Sequence, residues 1–284
     1  MRFVLTIVSI LTLGFISPAM ADVEIRNLEG ELLHTVVGQD NLIGVDLSGL
    51  NLIEADLDGE TITSCTCVDV NFRGADLSNT NFRFSDLSDT NFNEANLSGA
   101  NLNDTIAQAG TLRNTNLSSA TMRRADFQRS KFIGANMDGL IGTDANLSES
   151  IMRSNDNDPP VSTIATNMNL NDANLAGVNF RNTDLSNSTL RRTILTGATL
   201  NNANLTGVNF QGADITNLTL RNATITATTS FQGADVIVTR SADDNSNSED
   251  LRKLYKAMDE AGDLANFPAV WDNFFSARTV LEEE

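Results

Sequence analysis

From residue 42 to residue 152 an apolar side chain returns at nearly every fifth position, as at Leu47, Leu52, Leu57, Ile62, Phe72, Leu77, Phe82, Leu87 and onward to Leu147. Three in-phase positions, Cys67, Ala107 and Gly142, hold small residues instead. Two places before each large residue stands a small one, such as Ala75, Thr80, Ser85 or Ala95, and between them sits Asn or Asp in most units. A five-residue period fits neither the roughly 3.6 of an amphipathic helix nor the 2 of a plain strand, so the unit is a supersecondary repeat. Within it the small and large residues are two apart and share one face of a short strand, which turns the Asn or Asp between them outward. The remaining two residues, often Ser-Gly or Asn-Asp, carry turn chemistry and bend the chain into the next short wall.

No unit buries its large residue alone. Stacked coils about 4.8 Å apart pack Leu on Leu and Ala on Ala, and full burial of each Leu is worth roughly 1.5 to 3 kcal/mol before entropy is subtracted. Phe72, Phe92 and Phe132 lie at multiples of twenty, which suits four walls per coil. The phase breaks after Met152 through Arg153-Ser154-Asn155-Asp156-Asn157-Asp158-Pro159-Pro160 and is plain again from Leu170 to Ile225. Met152 and Leu170 are 18 positions apart, so the break reads as a loop replacing part of a coil, because Pro-Pro cannot sit in a stacked wall. Phe231 and Val236 form a last, shifted pair that ends the array.

The units Ala75-Asp76-Leu77-Ser78-Asn79, Ala95-Asn96-Leu97-Ser98-Gly99, Ala173-Asn174-Leu175-Ala176-Gly177 and Ala203-Asn204-Leu205-Thr206-Gly207 resemble the A(D/N)LXX unit of the pentapeptide-repeat family. The resemblance covers roughly two thirds of the chain. It implies an all-β solenoid, a right-handed quadrilateral β-helix with four units per coil. It says little about function, because the family spans many roles.

Open solenoid ends expose core and strand edges and call for caps. Residues 22–41, with Gly30 between two apolar strings, are expected to form the first. Beyond a polar linker, Ser248 is placed to cap a helix with Leu251, Leu254, Tyr255, Met258 and Ala261 on one face and Gly262 as its stop. A second helix from Pro268 presents Val270, Trp271, Phe274, Phe275 and Leu281. This small α-helical C-terminal cap is alternatively a surface for a partner or for homodimerisation. The leading residues read as a signal peptide: Arg2, an apolar run from Phe3 to Ile16, and a small-x-small site at Ala19-Met20-Ala21, with the mature chain starting at Asp22. The apolar run is too short for a comfortable membrane span, and no later segment qualifies, so no transmembrane segment is expected in the mature chain. The expected organisation is thus 1–21 signal peptide, 22–41 cap, 42–152 repeat, 153–169 loop, 170–240 repeat continued, and 241–284 linker and helices.

The net charge of -18 is unevenly spread. Residues 42–104 carry 11 acids and 2 bases, the tail from 241 carries 11 acids and 4 bases, and residues 105–240 carry 10 acids against 11 bases. The ends are acidic and the middle is mildly basic. That pattern argues against the family's sharpest alternative role, an acidic DNA mimic that inhibits a type II topoisomerase, because a mimic needs an even ladder of negative charge. Nucleic acid is likewise an unfavoured partner.

Candidate chemistry is sparse. The single histidine, His34, lies on the first cap, and no nucleophile–base–acid or metal-ligand spacing occurs, so neither an enzyme nor a cofactor is expected. Asp243-x-Asn245-x-Asn247 begins like a calcium loop but has Ser248 where Gly is needed and Leu254 where the bidentate Glu belongs. Asp156 and Asp158 form a still weaker cation candidate, and the many Asn-x-Ser/Thr triplets are by-products of the repeat. Cys65 and Cys67 take a small and a large inward place in one unit. They are either a local disulfide or two core thiols, since residues two apart in a strand sit about 6.6 Å apart, near the geometric limit. With four walls, Arg73, Arg113 and Arg153 share one face of the first block, and Arg181 and Arg221 share one in the second. Arginines on a rigid wall suit carboxylate or phosphate groups, with solubilising pairs to nearby Asp as the plainer reading. The expected role is an exported, non-enzymatic scaffold in the periplasm or thylakoid lumen that engages a protein or membrane surface.

Overall fold

The computed structural model describes residues 7–8, 22–154, 162–226 and 228–234. Three strands precede the repeats: β1 (Ile7–Val8), β2 (Asp22–Arg26) and β3 (Leu32–Val36), paired antiparallel in the order β1-β2-β3. Asn27 makes its own side-chain turn, accepting the Glu29 and Glu31 amides on Oδ1 at 3.1 and 2.8 Å, which reverses the chain between β2 and β3.

The repeats close a four-walled tube. Parallel bridges join residues 20 apart without a break from Asp46↔Thr66 to Lys131↔Ile151, so four units make one coil. Each wall gives one amide forward and one back: Leu77 N–H donates to Asn96 O and Asp76 N–H to Ala55 O, both at 2.8 Å. At the corner Thr80 N–H donates to Leu77 O at 3.2 Å, and the residue between, Asn79, takes a left-handed φ of 56°, as a type II turn requires at that place. The large residues and their small partners fill one continuous core, from Val23 to Ala234. Aromatic positions stack along it, with Phe72 and Phe92 at 5.6 Å and Phe210 and Phe231 at 5.0 Å between ring centroids.

The Asn or Asp of each unit has a physical reason. Asn96 Oδ1 accepts the Ser98 amide (3.2 Å) and its Nδ2 donates to Asp76 Oδ1 (3.1 Å) one coil away, and Asn116 repeats both bonds one coil further on. One short amide therefore satisfies its own corner and links two coils. Most buried hydroxyls in the small inward place donate to wall carbonyls, as Thr80 does to Leu57 O (2.7 Å) and Thr115 to Phe92 O (2.7 Å), which offsets their desolvation; Ser150 Oγ is the exception, buried without a partner.

At the first end β2 lies across the tube. Asn27 bridges Ala55 antiparallel, Asp56 N–H donates to Arg26 O, and Val23 and Ile25 are fully buried against the first coil. The interruption differs from the sequence expectation. Asn136↔Ile164, Ile141↔Asn169, Asn146↔Asn174 and Ile151↔Asn179 are 28 apart, so this coil gains eight residues and loses no wall. The tube also resumes by Thr163 to Ala165, before Leu170. The phase was hidden there because Ala165 fills a large place and Met168 a small one, the reverse of the usual pattern. The ends of the insertion are tied together: Thr163 N–H donates to Ser154 Oγ at 3.0 Å and Thr163 Oγ1 to Arg153 O at 2.6 Å. Near the far end one further residue is added between Asn209 and Ser230, which agrees with the shifted place of Phe231. The expected C-terminal helices and their dimer surface, Val236, the calcium-like stretch from Asp243, the Asp156 and Asp158 loop, and the signal peptide apart from Ile7–Val8 fall outside the described residues.

Candidate partner-binding face

The fourth residue of each unit points outward at a corner, and the parallel register decides which ones align. Arg73, Arg113 and Arg153 stand in one column, two coils apart. Because the long coil restores the register, Ile151 pairs with Asn179, so Arg181 stacks directly above Arg153 and Arg221 continues the same line. The sequence expectation of two separate faces becomes a single column of five arginines. Adjacent coils repeat at about 4.8 Å, so the guanidinium stems are spaced by about 4.8 or 9.6 Å along a rigid edge.

The residues between them hold the backbone in place. Asn93 Oδ1 accepts the Arg113 amide (2.8 Å), and Asn201 Oδ1 accepts the Arg221 amide (2.8 Å). Ile133, also outward in this column, is only 6% exposed, and beside it Gly134 N–H donates to Thr163 Oγ1 (3.0 Å) at the foot of the insertion. Arg73 pairs with Glu94 at 2.9 Å, both side chains about half exposed, which is a surface contact worth at most about 1 kcal/mol and open to exchange. Above Glu94 the two corner positions of this edge carry no acid among the described residues, since Asn114, Gly134, Ser154, Asn182, Asn202 and Asn222 fill the fifth places.

The diagonally opposite corner holds a second set that sequence reasoning missed: Arg83, Arg123, Arg124, Arg191 and Arg192 with Asp104, Asp144 and Asp172. Here three of the five arginines are paired with acids. Arg124 grips Asp104 through Nε and Nη2 (2.7 and 2.9 Å) while Arg83 Nε donates to the same Oδ2 at 3.1 Å, and Arg192 grips Asp172 through Nε and Nη2. These guanidiniums hold both carboxyls below the usual carboxylate range. The signal was present as acid and base twenty residues apart, Asp104 to Arg124 and Asp172 to Arg192. Arg83 also lies 4.5 Å over the ring of Phe84.

Cys65 and Cys67 face the core as a pair, placed as a disulfide with Cα atoms 5.6 Å apart, inside the span such a bridge covers. Ser85 Oγ accepts the Cys65 amide at 3.0 Å and Thr90 Oγ1 donates to Cys67 O at 2.9 Å. His34 lies in β3, away from both cysteines in sequence and from every repeat wall's outward column. Among the described residues no group of three or more His, Cys, Asp or Glu is arranged to hold a metal. Asp56 and Asp76 stand on adjacent coils, bridged through the same wall.

Comparison with known proteins follows the geometry. A pentapeptide-repeat family model of eight copies matches residues 41–78, 65–104, 112–154, 162–192 and 169–207, and a second pentapeptide-repeat model of nine copies matches residues 190–235. No curated protein matches the chain. Among solved structures it is similar to HetL, a pentapeptide repeat protein involved in heterocyst differentiation regulation from the cyanobacterium Nostoc, at 23% identity over 70% of this chain and 86% of that one, with a TM-score of 0.41. A trypsin-treated form of QnrB1, a plasmid-mediated fluoroquinolone resistance protein, aligns at 22% identity over 76% and 95% of the two chains, with a TM-score of 0.42. A pentapeptide repeat protein from the Arabidopsis thaliana thylakoid lumen aligns at 28% identity over 33% and 65%, with a TM-score of 0.21. With well over half of its length matched by the repeat models, the chain belongs to the pentapeptide-repeat family.

Proposed function

We propose that this pentapeptide-repeat scaffold is an exported, non-enzymatic interaction module of the periplasm or thylakoid lumen, which captures an acidic partner along the column of Arg73, Arg113, Arg153, Arg181 and Arg221. The single observation that carries the reading is the alignment of all five on one edge, with no acid in the corner positions above Glu94 among the described residues. Guanidiniums spaced along one edge can meet several carboxylates or phosphates of one partner at once, so their number adds to affinity. At the opposite corner Asp104 and Asp172 already hold three of the five arginines.

Replacing Arg113 and Arg153 with Gln is expected to abolish capture of a partner from native envelope extract while thermal melting stays unchanged. A parallel arm with anionic phosphatidylglycerol vesicles separates a membrane surface from a protein. Undiminished capture by the double variant sinks the reading. N-terminal sequencing of the exported chain should begin at Asp22.

The Cys65–Cys67 bridge belongs to the same reading, because an oxidising compartment permits it. Thiol titration of the denatured protein should find no free thiol without reductant and two with it.

A column of arginines, four of them exposed and Arg153 half-buried, also interrupts the field that a duplex mimic needs. The mature protein is expected to leave topoisomerase supercoiling unaffected at submicromolar dose, a level equivalent to roughly 8 kcal/mol of binding.

A further inference from the structure

We infer that Lys131, Arg113 and Arg129, together with the Ile133 amide, form a binding site for a phosphate group midway along the arginine edge. The register brings the three cations to one place. Lys131 bridges Thr111 one coil back, Arg113 follows Thr111 by two residues, and Arg129 precedes Lys131 by two across the neighbouring corner. With about 4.8 Å between coils and about 3.3 Å per residue along a wall, both arginine Cα atoms lie within about 8 Å of the Lys131 Cα. All three residues are exposed, and among the described residues none of them is in an ion pair. The neighbouring acids are Glu149, one coil beyond Arg129, and Glu94, which is held by Arg73.

The amide is the fourth donor, and Lys131 is the reason it lacks a partner. Where Asn holds the outward wall place, its side-chain oxygen accepts the amide two residues later, as Asn91 does for Asn93 (3.1 Å) and Asn179 for Arg181 (3.0 Å). Where Thr111 holds that place, Asn93 reaches across from the coil before and accepts the Arg113 amide at 2.8 Å. At Lys131 both routes close, because lysine carries no acceptor and the residue stacked under Ile133 is Arg113, which carries none either. Among the described residues no group accepts the Ile133 N–H, although Ile133 is only 6% exposed, and a donor so enclosed is rarely left without an acceptor. An oxygen set where an Asn carbonyl oxygen stands in other units meets this N–H with the Lys131 ammonium beside it. Donors converging from several sides select an anion with several oxygens. A phosphate group brings three acceptor oxygens, carries close to two charges at neutral pH and pairs bidentately with arginine, whereas a carboxylate brings two oxygens and a single charge. The site deepens the proposed function and rests on that reading through Arg113, which it shares with the column; Lys131 and Arg129 stand outside it.

Inorganic phosphate titrated into the full chain, followed by calorimetry and by amide nuclear magnetic resonance, tests the inference. The Ile133 amide proton is expected to move downfield and to saturate with a single phosphate. Lys131→Asn restores the ordinary acceptor to the wall, so it is expected to melt no lower than wild type and to bind phosphate about tenfold more weakly, as the loss of one charge-assisted contact implies. Arg129→Gln is expected to weaken binding about threefold, the size of an exposed charge contact. Phosphatidate vesicles and a phosphoserine peptide, each competed against inorganic phosphate, tell a lipid headgroup from a modified protein as the natural source, and competition by neither leaves free phosphate as the ligand. An Ile133 resonance that stays in place, undiminished binding by Lys131→Asn, or the same shifts with chloride at equal ionic strength overturns the site. A wild type that captures its partner but does not bind phosphate sinks the site and spares the proposed function, whereas one that binds phosphate at Ile133 but captures nothing does the reverse.

Discussion

The fifth residue of each unit bears a conformational cost that the repeat accepts at every corner. It adopts φ near +60°, which costs an ordinary L-residue roughly 1 to 2 kcal/mol and Asn, Asp or Gly much less. Most corners use Gly, Asn or Asp there; ten do not, Ala109, Phe84, Arg124 and Arg192 among them. Gly99 has φ of +68°, and a Cβ added to it would lie 2.6 Å from Asn79 Oδ1. Gly99→Ala should therefore destabilise by about 1 to 2 kcal/mol, the strain dominating because the amide tip can move aside. Ala109→Gly should do the reverse by a smaller amount, since about 0.4 to 1 kcal/mol of the relief is lost to the greater freedom of the unfolded chain. Chemical denaturation of the two variants is the check, and shifts of the same sign would show that the corners are not strained.

At the scale of one wall, the two inward residues share a fixed space, and volume can pass between them. Gly142 sits in a large place, and a Cβ there would come within 2.8 Å of Leu170 Cδ2, 3.2 Å of Met122 Cγ and 3.4 Å of Leu140 Cδ2. Leu140, two residues earlier in the small place, supplies the missing bulk and is buried. Leu140→Ala alone should cost about 2 to 5 kcal/mol through the cavity it leaves. Gly142→Leu alone should cost about 1 to 3 kcal/mol through overpacking. The double variant restores the ordinary small-then-large order, so its loss should be well below the sum of the two, a coupling that a double-mutant cycle reads directly. Additive losses would mean that the wall does not trade volume in this way.

The whole tube distributes charge by wall and by corner. Acids at the outward wall place fall on two opposite walls, as at Asp46, Asp86 and Asp126 on one and Asp56, Asp76 and Asp184 on the other, whereas the remaining two walls show Asn, Thr and Ile with Lys131 as their one charge among the described residues. Arginines collect at two diagonal corners. The carboxyls of Asp104 and Asp172, held by Arg124 and Arg192, and of Asp138, held by the Thr166 hydroxyl and Asn167, lie below their usual range when folded. Their contribution to stability is present above the unfolded carboxylate value of about 3.9 and is lost as pH falls through the lower folded values. Glu60 behaves oppositely. Burial, with Asp56 and Asp58 adding to it, raises its carboxyl, so its favourable contribution exists at low pH and disappears as pH rises through the raised value. Melting followed from pH 7 to pH 3 should show Asp104→Asn/Asp172→Asn less stable than wild type at neutral pH and converging with it in acid. Glu60→Gln should be more stable at neutral pH, with its gain shrinking in acid. Parallel curves across the range would refute the assignment.

The five-residue period, read with strand alternation, determined the wall, the corner and the inward pair, because each is local: a side chain two positions from another shares its face wherever the segment goes. The four-sided coil was only suggested by the spacing of Phe72, Phe92 and Phe132 and implied by the family resemblance, and the bridges between residues 20 apart establish it. Ala75, Asp76 and Leu77 announce their places without any distant contact. What lies between blocks was not legible. Ala165 and Met168 invert the size pattern, so the resumption of the tube was invisible until Ile164 paired with Asn136. Only that long-range bridge fixed the coil at 28 residues and set Arg181 on Arg153. The same bridges brought Asp104 to Arg124 and left β3 at the edge of its sheet. Alignment across coils is a property of hydrogen bonds between residues far apart in the chain, and the tertiary structure alone counts the residues between them.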